Sequence, residues 1–256
     1  MELNRDYESA AIYKWRKKRK KAFVLFICIV GICFLVTRMV RVEDKTTVKV
    51  HNMHTEQNEK AIRYVASNMI KEDPKIAITF DDGPSLAWTP QLLDGLKERN
   101  VKATFFLIGE NAKNNPELVK REAEEGHLIG NHTYHHVEIT RVPDETAQEE
   151  ILTTNEVITG ITGEEVSYMR PPFGVWQKNL ERKLDVMPVL WTIDPLDWTT
   201  DNEDEIINKV VTQAGENDII LLHDCYESSV NAALRIVDIL QKEGFEFVTV
   251  DELIMN

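Results

Sequence analysis

The sequence predicts an α/β fold whose strands lie parallel in a sheet or barrel. Short apolar runs rich in β-branched and aromatic residues recur from residue 75 onward, which is typical of strands. Segments with helical spacing separate these runs, and such an alternation is typical of βαβ units. Acidic residues and histidines follow several of the runs. Parallel α/β folds gather their active sites at this position, the carboxyl ends of the strands.

The predicted elements follow one another along the body of the chain. The strands are predicted at 75–80, 103–108, 127–130, 189–193, 218–222 and 245–249. The helices are predicted at 90–100, 116–125, 146–159 and 232–242. The first strand ends in the turn sequence Asp-Asp-Gly-Pro, and the first helix repeats leucine on one face. The second helix opens with proline in its first turn and stops at Gly126.

An apolar run at residues 22–40 predicts one transmembrane helix in front of this body. Its helical length would be about 28 Å, close to the hydrocarbon thickness of a bilayer. A block of Lys and Arg residues at 14–21 precedes the run, so the positive-inside rule keeps residues 1–21 in the cytoplasm. The alternative is a cleaved signal peptide, but residues 37–41 offer no small-x-small cleavage site. We therefore expect a membrane anchor, with the rest of the chain outside the cell.

The domain organisation follows from the residues after the anchor. Residues 41–70 are polar and contain no strand-like run, so we expect an extracellular stalk there. Residues 71–256 form the globular domain, which is long enough to bury a core of its own. Three cysteines, two of them within the apolar run, are too few for a disulfide framework.

The charge distribution restricts the partners of the chain. Residues 1–41 carry 10 Lys or Arg and 3 Asp or Glu, a net charge of +7, whereas the remainder carries 20 and 40, a net charge of −20. An acidic body argues against nucleic acid, because phosphate binding needs clustered cations. It also argues against attraction to anionic polymers. A neutral substrate, or one that gains positive charge, fits better, and no feature indicates an obligate protein partner.

Side chains that can bind metal or transfer protons follow four of the predicted strands. They are Asp81 with Asp82, His132 with His136, Asp194 with Asp197, and His223 with Asp224. Because the carboxyl ends of parallel strands meet at one edge, we expect these residues to converge.

A metal site is the first hypothesis for this cluster. On a helical turn, positions i and i+4 share a face, so His132 and His136 can bind one ion. A carboxylate such as Asp82 would complete a three-ligand site with open positions. Adjacent side chains of an extended segment point in different directions, so Asp81 can act as a general base while Asp82 binds metal. Surface or structural histidines and turn-forming acids are the alternative interpretation.

Three further segments allow a catalytic and a structural interpretation each. The sequence RPPFG at 170–174 predicts a rigid loop. Either this loop holds the Phe173 amide where an oxyanion would develop, or it is a structural turn. His223 shares a strand face with Leu221, either as a catalytic histidine beside an apolar wall or as a structural one. Asp197 precedes Trp198, either as a second acid of the site or in a loop with a buried tryptophan.

Five segments in this order closely resemble the motifs of the polysaccharide deacetylase family, also called the NodB-homology or carbohydrate esterase 4 family. They are TFDDGP at 79–84, HTYHH at 132–136, RPPFG at 170–174, DPLDW at 194–198 and LLHD at 221–224. The resemblance covers about residues 74–252. It implies a distorted (β/α) barrel of the NodB-homology type for the domain at 71–256, preceded by the transmembrane helix.

The resemblance also implies residue roles. The metal ligands would be Asp82, His132 and His136, and the ion would be zinc foremost, with cobalt, nickel or manganese as alternatives. Asp81 would be the general base, tethered by Arg170. His223 would be the general acid, tuned by Asp197. The substrate and oxyanion contacts would come from Phe173, Trp198 and Leu221.

The implied activity is removal of N-acetyl groups from an extracellular polysaccharide, with N-acetylglucosamine of peptidoglycan as the leading substrate. Other acetylated substrates remain open: N-acetylmuramic acid, chitooligosaccharide, an exopolysaccharide or an O-acetyl ester. A non-catalytic glycan-binding domain and a hydrolase of a small amide are the remaining alternatives. The family often has tyrosine where this chain has Phe173, which leaves the substrate preference open.

Overall fold

The fold is described from a computed structural model of the chain, which describes residues 73–177, 180 and 184–255. The predicted cytoplasmic segment, transmembrane helix and stalk, at residues 1–70, lie outside the described residues. Within the part that is described, no helix combines the length and the apolar character that crossing a membrane requires.

The described domain alternates strands and helices, as predicted. The strands are β1 Lys75–Asp81, β2 Thr104–Leu107, β3 Leu128–Asn131, β4 Tyr168–Met169, β5 Met187–Pro188, β6 Ile219–His223 and β7 Glu246–Phe247. The helices are α1 Thr89–Glu98, α2 Gly109–Asn114, α3 Pro116–Glu124, α4 Asp144–Thr162, α5 Glu203–Val211, α6 Glu227–Lys242 and α7 Val250–Met255. Short 3₁₀ turns lie at Ile139–Arg141, Pro172–Gly174 and Asp197–Thr199.

The strands form one sheet in which every described pairing is parallel. Its order is β5-β4-β3-β2-β1-β6, and β7 adds to β1. The sheet curls into a half-barrel, which confirms the parallel α/β prediction and agrees in part with the distorted barrel that the resemblance implied. The central strand β1 pairs with β2 and β6 at once, and its residues from Ile76 to Phe80 are all buried. Burial on both faces explains why its sequence reads as a continuous apolar run.

Helices α1, α3 and α6 cover the outside of the curled sheet. The predicted leucine face of α1, residues Leu92, Leu93 and Leu96, is fully buried against the strands. Burying a side chain of this size contributes about 1.5–3 kcal/mol. The parallel register of the strands places the carboxyl ends of β1, β3 and β6 at one rim of the half-barrel.

The strand predicted at 189–193 is wrong, and the difference has a physical reason. Regular pairing is limited to β5, which ends at Pro188. The Val189 amide then donates to the Met169 carbonyl beside β4, whereas Ile193 makes a single parallel bridge with Ile220 of β6. The segment therefore runs from the β4 side of the sheet to β6, instead of extending along one neighbour.

Other boundaries differ from the predictions at the ends of elements. Helix α6 begins at Glu227, five residues before the predicted start, and β7 has only two residues because α7 takes over at Val250. Helices α2, α5 and α7 and strand β4 had no prediction. Helix α2 and strand β4 are six and two residues long, too short for a periodic pattern to stand out.

Helix α3 carries one buried ionisable side chain without a hydrogen-bond partner. Glu122 of α3 is fully buried, and neither of its carboxylate oxygens has a hydrogen-bond partner. Burial, followed by the charge of Asp224, raises the pKa of Glu122 well above its usual value. Because the pKa of Glu122 is higher in the folded state than in the unfolded state, protonation of this carboxyl stabilises the fold. This stabilisation is complete below the unfolded pKa, near 4.5, and it is lost as the pH rises through the folded pKa.

We therefore expect Glu122→Leu, which keeps the volume and removes the carboxyl, to stabilise the protein at pH 8 by about 1–3 kcal/mol. The gain should be smaller at pH 4.5, where the carboxyl is protonated in the folded state and about half protonated in the unfolded state. Urea unfolding followed by circular dichroism at the two pH values measures this, with the exposed Glu124→Leu of the same helix as control. A loss of stability at pH 8 would contradict the interpretation of Glu122 as an unpaired buried acid.

Candidate metal centre and active site

The predicted site residues converge at one rim of the half-barrel. Asp81 is the last residue of β1, and the pairing register places it beside Phe106 of β2 and His223 of β6. His132 directly follows β3. Parallel strands that end together in this way deliver their last side chains to the same place. The convergence predicted from the sequence is therefore present in the fold.

Three side chains form a group that could hold a metal ion. The Asp82 Oδ1 atom lies 3.4 Å from Nε2 of His132 and 3.4 Å from Nε2 of His136, and the three ligand atoms lie within 4.8 Å of one another. Burial opposes ionisation of Asp82, but its interaction with the neighbouring imidazole of His132, together with the charges of His223 and His136, holds its pKa below the usual value. The carboxylate is therefore ready to bind a cation.

The bonding around the triad fits a divalent metal. The Asp82 Oδ1 atom is buried and has no hydrogen-bond partner, which is costly unless a cation meets it. Nδ1 of His132 lies 2.6 Å from the Arg170 carbonyl oxygen, so this nitrogen carries the proton and donates it. Nε2 of His132 is then the ring nitrogen that faces Asp82. A histidine ligand oriented by a second hydrogen bond is the usual arrangement at metal sites.

Asp81 faces the same space from the other side of the triad. Its Oδ1 accepts a 2.7 Å hydrogen bond from Nη1 of Arg170, whose guanidinium is fully buried. Its Oδ2 lies 3.7 Å from Nε2 of His132. Oδ1 of Asp81 is therefore held by Arg170, whereas Oδ2 lies near His132 of the possible metal site. The neighbouring carboxylates Asp81 and Asp82 have different partners, as the alternation of side chains predicts.

A second pair of residues lies on the β6 side. Nδ1 of His223 donates to Oδ1 of Asp197 over 2.8 Å, and the backbone amide of His223 donates to Oδ2 over the same distance. Burial lowers the pKa of His223. The hydrogen bond with Asp197 and the charges of Asp197, Asp81 and Asp82 outweigh burial and raise it to about 9. The imidazole is accordingly protonated at neutral pH in the metal-free chain.

The rim of the site carries large exposed apolar side chains. The Phe173 ring lies 5.0 Å from the His136 ring, and the Tyr226 ring lies 6.3 Å from the His223 ring. Both are exposed, as are Trp198 next to Asp197 and Leu86 four residues after Asp82. Because Trp198 is exposed, the alternative interpretation of this segment as a loop with a buried tryptophan is wrong. An exposed apolar patch around a polar centre is typical of a ligand-binding groove.

Leu221 and Asp194 complete the predicted residues, and His127 and Cys225 are two further side chains that could take part in chemistry. Leu221 is buried on β6, two residues before His223. Asp194 accepts the Leu196 amide in a local turn, so its observed role is structural. His127 accepts the Ala103 amide through Nδ1 and lies apart from the triad. Burial, first among the causes, raises the pKa of Cys225 to about 12, which keeps the thiol protonated.

Sequence reasoning missed two polar residues that support the site. Thr79 of β1 accepts a 2.7 Å hydrogen bond from Nη1 of Arg170 and donates to the Ile220 carbonyl. Glu150 of α4 accepts hydrogen bonds from the loop that carries the histidines. Thr79 belongs to the first motif segment, but nothing in one sequence distinguishes Glu150 from its acidic neighbours on a helix.

Comparisons with known proteins agree with this geometry. Residues 68–189 match the sequence profile of the polysaccharide deacetylase family. The chain is 39% identical over 186 residues to a peptidoglycan-N-acetylglucosamine deacetylase of Bacillus cereus, covering 70% of this chain and 68% of that protein. The chain belongs to the polysaccharide deacetylase family.

Other members of the family cover the same part of the chain. The peptidoglycan-N-acetylglucosamine deacetylase PgdA of Listeria monocytogenes is 37% identical over 216 residues. That alignment covers 82% of this chain but 46% of PgdA, so the chain spans less than half of that relative. The crystal structure of the peptidoglycan deacetylase PdaC of Bacillus subtilis superposes with a TM-score of 0.70 at 38% identity, covering 71% of this chain and 90% of that one.

The pairing of His223 with Asp197 gives a direct test of the site's electrostatics. Asp197→Asn removes the charge that opposes the cost of burial, so the pKa of His223 should fall from about 9 to below about 7. NMR titration of the metal-free protein measures this value. The exposed Asp201→Asn is the matched control and should leave it unchanged. A His223 pKa that stays near 9 in Asp197→Asn would show that the pair does not set it.

Proposed function

We propose that this protein is a metal-dependent hydrolase that removes N-acetyl groups from extracellular polysaccharide, foremost from N-acetylglucosamine residues of peptidoglycan. One observation supports this above the others. Near the possible metal triad lie Asp81, whose carboxylate accepts a hydrogen bond from Arg170, and His223, whose ring donates to Asp197. Such a site has a base and an acid on separate strands.

Hydrolysis of an amide needs an activated water, stabilisation of an oxyanion and a proton for the leaving nitrogen. Asp82, His132 and His136 would hold one divalent ion, with zinc as the leading candidate for this carboxylate and imidazole set. Cobalt, nickel or manganese are alternatives. When bound, such an ion lowers the pKa of water from 15.7 to about 7 and polarises a carbonyl.

Asp81 is the proposed general base. Arg170 holds its Oδ1, and its Oδ2 faces the triad, so Oδ2 is the atom that accepts a proton from the attacking water. Arg170 touches neither water nor substrate in this scheme and acts through the orientation of Asp81.

His223 is the proposed general acid. Its Nδ1 donates to Asp197, which leaves Nε2 to donate a proton to the departing amine. A pKa of about 9 keeps the imidazole protonated at neutral pH, and the positive charge of a bound metal would lower that value. Histidine suits this role because its pKa can be set near the working pH.

The rim supports a sugar chain as the ligand. Exposed aromatic faces at Phe173, Trp198 and Tyr226 offer apolar surfaces for the ring faces of a glycan. Phe173 has φ 62 and its ring lies against His136, and its backbone amide would serve the developing oxyanion. Leu221 would contact the acetyl methyl group. The acidic body suits a substrate that gains positive charge on reaction.

The choice among acetylated glycans rests on the names of relatives. The Bacillus cereus and Listeria proteins are named for N-acetylglucosamine, and the Bacillus subtilis PdaC is named for N-acetylmuramic acid. Two of these three names favour N-acetylglucosamine, which we place first. The predicted anchor at 22–40 and the basic segment before it support a single-pass protein that presents residues 71–256 to the cell wall.

Two substitutions separate the metal from the proton transfer. Asp82→Ala should abolish zinc binding, because it removes the one carboxylate of the triad. His223→Ala should keep zinc and lower turnover by about 10²–10⁴-fold, the usual contribution of a general acid. Metal analysis and acetate release on the same preparations measure both. A wild-type zinc content in Asp82→Ala would overturn the assignment of Asp82 as a ligand. Unchanged turnover in His223→Ala would show that His223 is not the general acid.

The activity itself is tested by acetate release from the full-length chain in detergent, with and without zinc. The substrates are peptidoglycan, N-acetylglucosamine oligomers and a muramic-acid-containing fragment. Zinc-dependent acetate from the first two supports the proposal, and acetate from the muramic fragment alone would move the activity to N-acetylmuramic acid. No acetate from a zinc-loaded chain on any substrate would contradict deacetylation of these glycans.

A further inference from the structure

The loop between β3 and Val137 carries two of the three triad residues on a strained backbone. Thr133 and His136 both have positive φ, at 60 and 56, a conformation that non-glycine residues adopt at a cost of about 1–3 kcal/mol. Such a conformation persists only when the surroundings hold it in place. The side chains that hold this loop therefore decide where His132 and His136 lie.

Helix α4 supplies an anchor through Glu150. Its Oε2 accepts the backbone amide of His135 over 2.8 Å, and its Oε1 accepts Nδ1 of the same residue over 2.7 Å. The two bonds fix the position of His135 from its backbone and from its ring. His135 immediately precedes the triad residue His136, so this anchor lies one residue from a ligand.

A second anchor from the same helix holds the start of the loop. The Asn131 side chain donates to the Ile151 carbonyl and to Oδ1 of Asn155, while its own oxygen accepts the Thr133 amide. The loop is thus tied to α4 at both ends, by Asn131 before His132 and by Glu150 beside His136. Of these two anchors, only Glu150 brings a charge.

The Glu150 contact differs from an ordinary surface ion pair. The side chain of Glu150 is only 10% exposed, although the His135 ring is 57% exposed. Exposed ion pairs contribute little, but a buried carboxylate that accepts a backbone amide makes a stronger, charge-assisted bond. The backbone bond, which does not depend on the charge of His135, is accordingly the main part of the anchor.

We propose that Glu150 is a positioning residue for the metal site, which holds His136 in ligand geometry through His135. The inference rests on the proposed metal binding. Glu150 does not touch the metal or the substrate, and its effect is on the affinity for the ion and on the ligand geometry. Loss of a supporting hydrogen bond of this kind typically lowers metal affinity by about 10–100-fold.

The test uses zinc and cobalt binding by the full-length chain in detergent, without substrate. Glu150→Leu keeps the buried volume and removes both acceptors, and we expect zinc affinity, measured by competition with a chromophoric chelator, to fall about 10–100-fold. The visible spectrum of the cobalt-loaded variant should shift, because the ligand geometry changes. Glu150→Gln keeps an acceptor for the His135 amide and should restore zinc affinity to within about threefold of wild type.

Controls separate positioning from a general loss of structure. Glu149→Leu, on the exposed face of the same helix, should leave zinc affinity and the cobalt spectrum unchanged. If Glu150→Leu fails to fold, Glu150→Ala carries the test, since it removes the same two acceptors with a smaller side chain, and zinc affinity should again fall about 10–100-fold. Unchanged zinc affinity in a folded Glu150→Leu, or in Glu150→Ala where that variant carries the test, would overturn the inference alone. No zinc binding by the wild-type chain would overturn the proposed function as well.

Discussion

The arrangement of the site depends on one fully buried cation, the guanidinium of Arg170. Burial of an unpaired charge is prohibitive, and Arg170 is satisfied only because several groups converge on it. It donates to Asp81 and Thr79 and to the carbonyls of Val189 and Leu190. The Phe106 ring also lies 4.3 Å from its charge. The segment at 189–193 and Asp81, the proposed base, are thus linked through one side chain.

The same residue also orients His132, one of the proposed metal ligands. The Arg170 backbone carbonyl accepts Nδ1 of His132, while its side chain holds Oδ1 of Asp81, which supports the proposed role of Asp81 as base. The hydrogen bond to Arg170 therefore distinguishes Asp81 from its sequence neighbour Asp82. Around the site, Asp82, Thr133, His136, Phe173 and Leu196 all have positive φ. Strain of this kind clusters at functional sites.

Much of the site was predictable because its residues lie where strands end. The apolar runs at β1, β2, β3 and β6 are long or dense enough to be identified, and Asp81, His132 and His223 follow from them by position. The prediction of a strand at 189–193 was wrong, although the composition of the segment is typical of a strand. Two of its carbonyls, at Val189 and Leu190, accept hydrogen bonds from Arg170, and no local sequence pattern indicates such a long-range contact. Glu150 was missed for the same reason, since its partner His135 lies 15 residues away in the chain.

The division of labour between the two adjacent carboxylates is the central claim. It is tested most directly by a crystal structure of the zinc-loaded chain with anomalous data at the zinc edge. We predict one peak about 2.0–2.2 Å from an oxygen of Asp82 and from Nε2 of both His132 and His136. Asp81 should remain hydrogen-bonded to Arg170. A zinc ion ligated by Asp81 in place of Asp82, or a peak away from the two histidines, would contradict the account.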